Sequence, residues 1–293
     1  MKKATKMAAL MLALAMMRTT LTACSGNAYS NSSSTTTDTT VTNSQTQERE
    51  STPAETGAQE AAPEADDNTL TFGTNAEFPP FEFVTSSGVI DQYDGIDMAI
   101  AKQIAETNGM TAEIENMEFA SLLVALQNGQ IDAAIAGMTI TDERKEEADF
   151  SIPYYTATQV MIMREDSDIA SANDLEGKKI CVIEGYTGEV CVRDMGYPYE
   201  AFKKGTDAIM ELVNGKCDVV ILDSATSQKY VSDNEGLKIV EDPSAFESEE
   251  YAIAVKKGNT ELLDKINTAI DAMLADGTIA ELGAKYTEEL SAE

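Results

Sequence analysis

Short apolar runs alternate with stripes of helical spacing from about residue 69 onward. The run LTFG (70–73) predicts a strand, and residues 97–108 predict a helix that ends before a glycine. IDAAIAG (131–137) is a continuous apolar run typical of a buried strand. A further helix is predicted by apolar residues at helical spacing, namely Phe119, Leu122, Leu123 and Leu126. This alternation predicts an α/β fold in which helices cover parallel sheets.

A short internal repeat divides this region into two halves. LQNGQIDAAIAG (126–137) aligns without gaps with LVNGKCDVVILD (212–223), and each copy reads as a helix end followed by a strand. The chain is therefore predicted to form two α/β lobes on one plan. The repeat places Gly137 and Asp223 at equivalent carboxyl ends of strands, where open α/β sheets bind ligands. If the lobes face each other, one cleft is formed by the loops 73–78, 136–144, 184–188 and 222–226.

The first 24 residues have the pattern of a secretory signal. Three lysines precede the apolar run MAALMLALAMM (7–17), which is shorter than the roughly 20 residues that span a bilayer. LTAC (21–24) resembles a bacterial lipobox, which predicts a signal peptide at 1–23 and a lipid on Cys24. The alternative is ordinary signal cleavage, with Cys24 unmodified.

Residues 24–68 are predicted to be a lipidated cysteine followed by a disordered tether. The segment is rich in Ser, Thr, Asn, Gln and Glu, so it cannot bury enough apolar surface to offset its ordering entropy. As a flexible coil it would reach on the order of 35 Å. We therefore expect a globular body held outside the cell membrane but close to it.

The charge of the chain excludes one class of partner. Asp and Glu number 51 against 21 Lys and Arg, and four of these basic residues lie in the predicted signal. Nucleic acid is not expected as a partner, because phosphate binding needs basic surfaces. Of the four cysteines, Cys181, Cys191 and Cys217 remain beside Cys24; they allow at most one internal disulfide and read as small buried hydrophobic residues.

The globular part resembles the family 3 extracellular solute-binding proteins, the receptors of polar amino acid ABC importers. Five fragments carry the resemblance, in the order and spacing of that family: GTNAEFPPFEF, GMTITDERKEEADFSIPYY, GKKICVIEGYTG, NGKCDVVILD and DGTIAELGAKY. The chain departs from the family at GIDMA (95–99), where Ala99 stands in place of a second acid.

The resemblance implies a two-lobed periplasmic-binding-protein-like fold of type II, with the ligand in the interlobe cleft. The first lobe would comprise 69–156 plus 253–293, and the second lobe 157–252. Two strands at YYTAT (154–158) and EYAIA (250–254) would cross between the lobes as a hinge. The expected partners are a polar L-amino acid, the permease subunits of an ABC transporter and, through the lipid, the membrane; the protein is expected to be a monomer.

A free amino acid needs donors for its carboxylate and acceptors for its ammonium. Arg144 can grip a carboxylate through two charge-assisted hydrogen bonds, with Thr141 as the cap of its helix. Thr139 lies just upstream, and Thr187 adds an N–H group from a second helix start. In the family the corresponding positions hold the α-carboxylate. From spacing alone, an exposed ion pair between Arg144 and Glu147 is the alternative.

Asp223 is the natural acceptor for the α-ammonium, because a carboxylate at the end of an apolar strand is out of place unless it is paired or functional. The carbonyl of Gly137 would be a second acceptor, and the resemblance implies both roles. The alternative for Asp223 is a strand-end residue that caps the following turn.

Side-chain selection is assigned to Asn75, Glu77, Phe78 and Phe119. Two aromatic rings can enclose an aliphatic stem or stack on a guanidinium, although Phe119 also fits a purely core role and Glu77 a solvent-facing one. Met138, which lies between Gly137 and Thr139, and Tyr186, which precedes Thr187, complete the predicted ligand-binding set. Relatives that bind cationic amino acids often carry Asp at the position of Asn75. We expect a cationic amino acid (arginine, lysine or histidine), with glutamine or another neutral polar amino acid next.

Two other classes of function compete with this one. The same fold can host dehydratases for small carboxylates, but the chain has no His and no predicted metal cluster or phosphate loop, so no enzyme activity and no cofactor are expected. A sensor domain for a membrane receptor would use the same pocket, and the sequence leaves that alternative open.

Overall fold

The computed structural model describes residues 68–291. The predicted signal peptide, the lipid on Cys24 and the tether lie outside these residues. The strands are β1 (Thr69–Thr74), β2 (Glu77–Phe78), β3 (Glu82–Val84), β4 (Tyr93–Asp94), β5 (Thr111–Asn116), β6 (Ala133–Ala134), β7 (Ala148–Phe150), β8 (Tyr155–Arg164), β9 (Ile180–Ile183), β10 (Tyr199–Phe202), β11 (Val219–Asp223), β12 (Leu237–Val240), β13 (Ser248–Tyr251) and β14 (Ala254–Lys256). The helices are α1 (Ile96–Thr107), α2 (Leu122–Asn128), α3 (Asp142–Glu147), α4 (Thr187–Asp194), α5 (Gly205–Val213), α6 (Ser224–Asp233), α7 (Thr260–Ala275) and α8 (Thr278–Ser291), with 3₁₀ turns at Phe119–Ser121 and Ala172–Leu175.

Two sheets repeat one arrangement of strands. The first sheet has the order β5-β1-β6-β14-β7, and the second has the order β10-β9-β11-β8-β12. In each, the third strand pairs in parallel with the second and antiparallel with the fourth. The third strands, β6 and β11, begin at positions that the internal repeat aligns. The prediction of two α/β lobes on one plan is confirmed, and we call the parts built on the two sheets the first and the second lobe.

The chain passes between the lobes along two paired strands. The start of β8 runs antiparallel to β13, with Tyr155 opposite Tyr251 and Thr158 opposite Ser248. β14 then returns the chain to the first sheet. The crossings lie at the segments predicted from the family resemblance, and the residue at which each lobe begins stays a prediction.

Two predicted elements differ from the observed ones. The stripe that begins at Phe119 is a 3₁₀ turn followed by α2, because the chain changes its hydrogen-bonding pattern at Ser121. The strand predicted over 131–137 is shortened to β6. Three residues beyond its end, the backbone turns through a positive φ of 51° at Gly137. A Cβ atom at Gly137 would lie 2.6 Å from the ring of Phe78, so only glycine fits this turn.

The three cysteines in the described part are free thiols. Cys181 and Cys217 are buried, as expected for small hydrophobic residues, whereas Cys191 on α4 is half-buried.

Candidate functional site

A cavity of about 200 Å³, measured with the space that opens to solvent, lies between the two lobes. Its lining is Phe78, Phe119, Ala136, Gly137, Thr139, Arg144, Tyr186, Thr187 and Asp223. All of these except Ala136 belong to the set predicted from the sequence. The remaining predicted residues, Asn75, Glu77 and Met138, do not line the cavity.

Arg144 bridges the two lobes. The side chain of Thr141 accepts a hydrogen bond from the Arg144 backbone N–H at 3.1 Å and so caps α3 as predicted. The guanidinium donates to the carbonyl of Thr139 at 2.7 Å and, across the cleft, to the carbonyl of Gly185 at 2.9 Å. The central carbon of the guanidinium lies 5.1 Å from the ring centre of Phe119, so this ring makes a cation–π contact with Arg144.

The alternative interpretation of Arg144, an exposed ion pair with Glu147, is wrong. Within residues 68–291 no such pair is formed, and the Glu147 carboxylate instead accepts a hydrogen bond from Gln127 at 3.1 Å. Burial lowers the pKa of Arg144, while the carboxylates of Glu249 and Asp223 act in the opposite direction. The guanidinium is therefore a cation partly removed from water and surrounded by acids.

The backbone at Thr139 faces the cavity. On one side of this residue Ala252 N–H donates to the Met138 carbonyl, and on the other Ile140 N–H donates to the Glu250 carbonyl. In an antiparallel bridge these flanking bonds turn the N–H and carbonyl of Thr139 away from β13. Met138 itself is 1 % exposed, and its carbonyl holds β13.

The start of α4 forms the opposite wall. Tyr186 precedes the helix and Thr187 is its first residue, so the positive end of the helix dipole points at the cavity. The Thr187 hydroxyl accepts a hydrogen bond from Gln159 at 3.0 Å and donates to Glu249 at 2.7 Å.

Asp223 ends β11 and is buried. Its carboxylate accepts a hydrogen bond from the Tyr251 hydroxyl at 2.6 Å. Burial, and next the negative charge of Glu249, raise the pKa of Asp223 to about 7. Asp223 also precedes α6, but its side chain makes no capping hydrogen bond with that helix. The capping role considered from the sequence is therefore wrong.

Asn75 and Glu77 make contacts across the mouth of the cleft. The Asn75 side chain donates to the Met117 carbonyl at 2.9 Å and accepts from the Tyr186 hydroxyl at 2.9 Å. Glu77 forms an ion pair with Lys204 of the second lobe at 2.6 Å. In this structure both residues join the lobes, and their role in side-chain selection stays a prediction.

Three aromatic rings surround the cavity. The centroid of Tyr186 lies 5.4 Å from that of Phe78 and 4.6 Å from that of Phe119. Phe119 is 9 % exposed and contacts both the cavity and the core. Its core role is confirmed, and its ligand role stays a prediction.

Glu249 and Glu82 are acids near the cavity that the sequence analysis did not identify. Glu249 on β13 accepts hydrogen bonds from the hydroxyls of Thr139 and Thr187, both at 2.7 Å. Glu82 on β3 is fully buried, and no N–H or O–H group of the described residues donates a hydrogen bond to its carboxylate. Burial, followed by the charges of Asp97 and Asp223, raises the pKa of Glu82 well above its usual range.

The sequence profile of the bacterial extracellular solute-binding proteins, family 3, matches residues 70–289. The chain belongs to this family. Family 3 proteins bind substrates for transport and are not enzymes. The resemblance identified from the five fragments is thus confirmed.

Several proteins similar to this chain are named for the amino acids that they bind. The arginine-binding extracellular protein ArtP of Bacillus subtilis is 32 % identical over 236 residues, which cover 78 % of this chain and 90 % of ArtP. The arginine-, lysine-, histidine-binding protein ArtJ of Geobacillus stearothermophilus has a similar structure, with a TM-score of 0.70 and 35 % identity over 74 % of this chain and 94 % of ArtJ. An ancestral arginine-binding protein bound to glutamine has a TM-score of 0.70 and 42 % identity, over 75 % of this chain and 97 % of that protein.

The two solved structures share the two-lobed fold of this chain.

Across residues 68–291, no helix combines the length and the hydrophobicity needed to cross a membrane.

The family resemblance predicted most of the residues that line the cavity, but it did not predict the nearby acids Glu82 and Glu249. Glu82 lies in the quoted fragment GTNAEFPPFEF, between two phenylalanines, and an acid between bulky apolar neighbours was the available signal for burial. Glu249 lies two residues before Tyr251 in the predicted crossing, and strand alternation puts both on one face. The alternation indicates that Glu249 faces the cavity only when the position of β13 beside the cavity is known.

Proposed function

We propose that this protein is the extracytoplasmic substrate-binding component of an ABC importer and that it captures a cationic L-amino acid by closing its two lobes. The observation that carries the proposal is that Arg144 and Asp223 line one cavity from opposite lobes. A guanidinium and a carboxylate at the two sides of a small cavity match the carboxylate and the ammonium of a zwitterion.

The carboxylate end is assigned to Arg144, Thr139 and Thr187. The Arg144 guanidinium carries N–H donors in one plane and contacts the Thr139 carbonyl. The N–H of Thr139, like its carbonyl, is turned away from β13. The start of α4 adds N–H groups at the positive end of a helix. The ammonium end is assigned to Asp223, with the carbonyl of Gly137 as a second acceptor.

The preference for a cationic side chain rests on the acids around the cavity. Asp223 lines the cavity, Glu249 accepts hydrogen bonds from two hydroxyls of the lining, and Asp97 accepts a hydrogen bond from the Gly137 N–H at 2.8 Å. A cationic side chain would favour the ionised forms of these acids, and burial raises the pKa of Asp97 and that of Asp223.

Relatives support this preference without deciding it. Arginine, lysine and histidine are named for ArtP or ArtJ, whereas glutamine was bound by the ancestral protein. Glutamine is therefore the second candidate ligand, since the same zwitterion contacts would hold it.

We further propose that Cys24 carries a lipid and that the monomeric receptor delivers its ligand to permease subunits at the outer face of the cell membrane. The LTAC segment and the polar composition that follows it support the anchor. Mass spectrometry of membrane-extracted protein tests it, and an N-terminus other than a modified Cys24 would contradict it.

A thermal-shift screen against the twenty common amino acids tests the function. A ligand present at 100 times its Kd stabilises a folded protein by about 2.7 kcal/mol. We expect the largest shifts for arginine or lysine, and a smaller radius of gyration in X-ray scattering on saturation. Stabilisation by none of the twenty would reject the proposed function, and a shift for glutamine alone would reject the cationic preference.

A further inference from the structure

Glu249 projects from the crossing strand β13 into the back of the cleft. Residues 249 and 251 lie on one face of this strand, and Glu250 lies on the other. The Tyr251 hydroxyl reaches Asp223, while the Glu249 carboxylate reaches the hydroxyls of Thr139 and Thr187. One strand thus contacts residues assigned to both ends of the ligand.

The Glu249 carboxylate joins the two lobes. A single oxygen, Oε2, accepts both hydroxyl hydrogens at 2.7 Å, one from Thr139 of the first lobe and one from Thr187 of the second. Gln159 is 1 % exposed, and its side-chain N–H donates a hydrogen bond to the Thr187 hydroxyl oxygen at 3.0 Å. The hydroxyl has a single hydrogen, which it can donate to one acceptor. The Thr187 hydrogen is therefore directed at Glu249.

The negative charge of Glu249 acts on the residues assigned to the ligand. Among the nearby charges, it has the largest effect on the pKa of Arg144 and on that of Asp223. A second carboxylate brought to Arg144 and the two threonines would be repelled by Glu249 and would find both hydroxyl hydrogens in use.

A second cavity gives the Glu249 side chain room to withdraw. This cavity measures about 1,150 Å³ with the space open to solvent, and its lining includes Thr139, Thr187 and Glu249. Thr139 and Thr187 therefore form a wall common to both cavities. A rotation of the Glu249 side chain toward the larger cavity would release both hydroxyls to the smaller one.

We propose that Glu249 is an internal carboxylate that competes with the α-carboxylate of the ligand for Thr139 and Thr187, and so limits the affinity for every amino acid that the cleft accepts. This inference rests on the proposed function. It makes Glu249 a residue that sets affinity through the end of the ligand that all amino acids share.

Calorimetry on Glu249→Gln, with L-arginine and L-glutamine as ligands, tests the proposal. Gln keeps the size of the side chain but loses its charge, so both ligands should bind about tenfold more tightly than to the wild type. Glu250→Gln is the matched control, because it removes the same charge from the next residue on the exposed face, and its affinities should stay within about twofold.

The direction of the change separates competition from other roles of Glu249. A carboxylate that merely attracts cationic ligands would give weaker L-arginine binding in Glu249→Gln, and so would one that merely holds the threonines in place. Unchanged or weaker binding, or a gain for only one of the two ligands, would overturn the proposal. Glu249→Ala replaces Glu249→Gln in the test if the latter does not fold.

Wild-type titrations distinguish the failure of this inference from the failure of the function. If the wild type binds none of the twenty amino acids in the screen, the proposed function is rejected and the inference with it. If the wild type binds and Glu249→Gln gives no gain, only the competition by Glu249 is rejected.

Discussion

The Tyr186 hydroxyl of the second lobe donates a hydrogen bond to the side-chain oxygen of Asn75 in the first lobe, at 2.9 Å. The other end of the Asn75 amide donates to the Met117 carbonyl. Both ends of Asn75 are thus used, and the residue fixes where Tyr186 lies relative to the first lobe. A position expected to select the ligand side chain therefore also joins the two lobes.

Replacing Tyr186 by Phe should weaken ligand binding without changing which ligand is preferred. The change removes one cross-cleft hydrogen bond, worth about 0.5 to 1.5 kcal/mol, and keeps the ring packed against Phe78 and Phe119. Affinity for arginine and glutamine should fall by about two- to tenfold in calorimetry. Tyr197→Phe, outside the cleft, is the control. An altered ratio of the two affinities would mean that the hydroxyl touches the ligand side chain.

Glu77→Gln should have a small effect that is equal for all ligands. Glu77 pairs with Lys204 across the cleft mouth, and partly exposed pairs of this kind contribute about 0 to 1 kcal/mol. Lys204→Met should give the same loss, and the double variant should lose no more than either single variant. Should Glu77→Gln favour glutamine over arginine while Lys204→Met does not, Glu77 would instead belong to the pocket.

Arg144→Ala should nearly abolish binding of any amino acid. It leaves the ligand carboxylate desolvated without its main counterion, which costs about 3 to 5 kcal/mol, or roughly a hundred- to several-thousand-fold in affinity. Arg193→Ala is the control, because Arg193 forms an exposed pair with Asp194 at 3.4 Å. Calorimetry with the best ligand decides the matter, and near-normal affinity of Arg144→Ala would remove Arg144 from the site.

Asp223→Asn should stabilise the ligand-free protein at neutral pH. The pKa of Asp223 is raised from 3.8 to about 7, so the folded state keeps a proton that the unfolded state loses between about pH 4 and pH 7. This carboxyl therefore lowers stability as the pH rises through that range. We expect the free energy of unfolding of Asp223→Asn to exceed that of the wild type by about 3 to 5 kcal/mol near pH 7.5 and by less than about 1 kcal/mol near pH 4. Urea unfolding of both proteins, with exposed Asp271→Asn as control, measures this; a difference independent of pH would contradict it.

Ligand affinity of the wild type should decrease as the pH falls below about 7. An ammonium group is accepted by the ionised form of Asp223, so the ligand must displace the proton that burial favours on this carboxyl. Calorimetry in two buffers of different ionisation enthalpy should show proton release on binding at about pH 6. Binding of constant affinity and without proton release from pH 5 to pH 8 would show that Asp223 does not hold the ammonium.

The sequence predicted those site residues that lie at ends of secondary-structure elements. Asp223 and Gly137 follow aligned strands, and Arg144 lies one turn after a recognisable cap, so local pattern and the family fragments agreed on them. Residues whose role depends on tertiary pairing were missed. Glu249 faces the cleft because β13 is held between β8 and the segment at Met138–Ile140, and no local pattern specifies that pairing.

Glu82 was missed for a different physical reason. An acid in a hairpin next to a turn is usually exposed, and this expectation outweighs the signal from its two phenylalanine neighbours until the pairing of β3 with β2 and β4 is known. The split of the predicted helix at Ser121 has a similar origin, because hydrophobic spacing does not distinguish a 3₁₀ turn from the first turn of an α-helix.

The antiparallel pairing of β8 with β13 couples the two strands that join the lobes. Four residues of β13 pair with four of β8 where the chain crosses, so one crossing cannot bend without carrying the other with it. In the lobe closure that we propose, both crossings are expected to bend together, because sliding of one strand past the other would break the hydrogen bonds of this two-stranded ribbon. We therefore expect one distance between two labels, one on each lobe, to report the proposed closure in a single-molecule experiment.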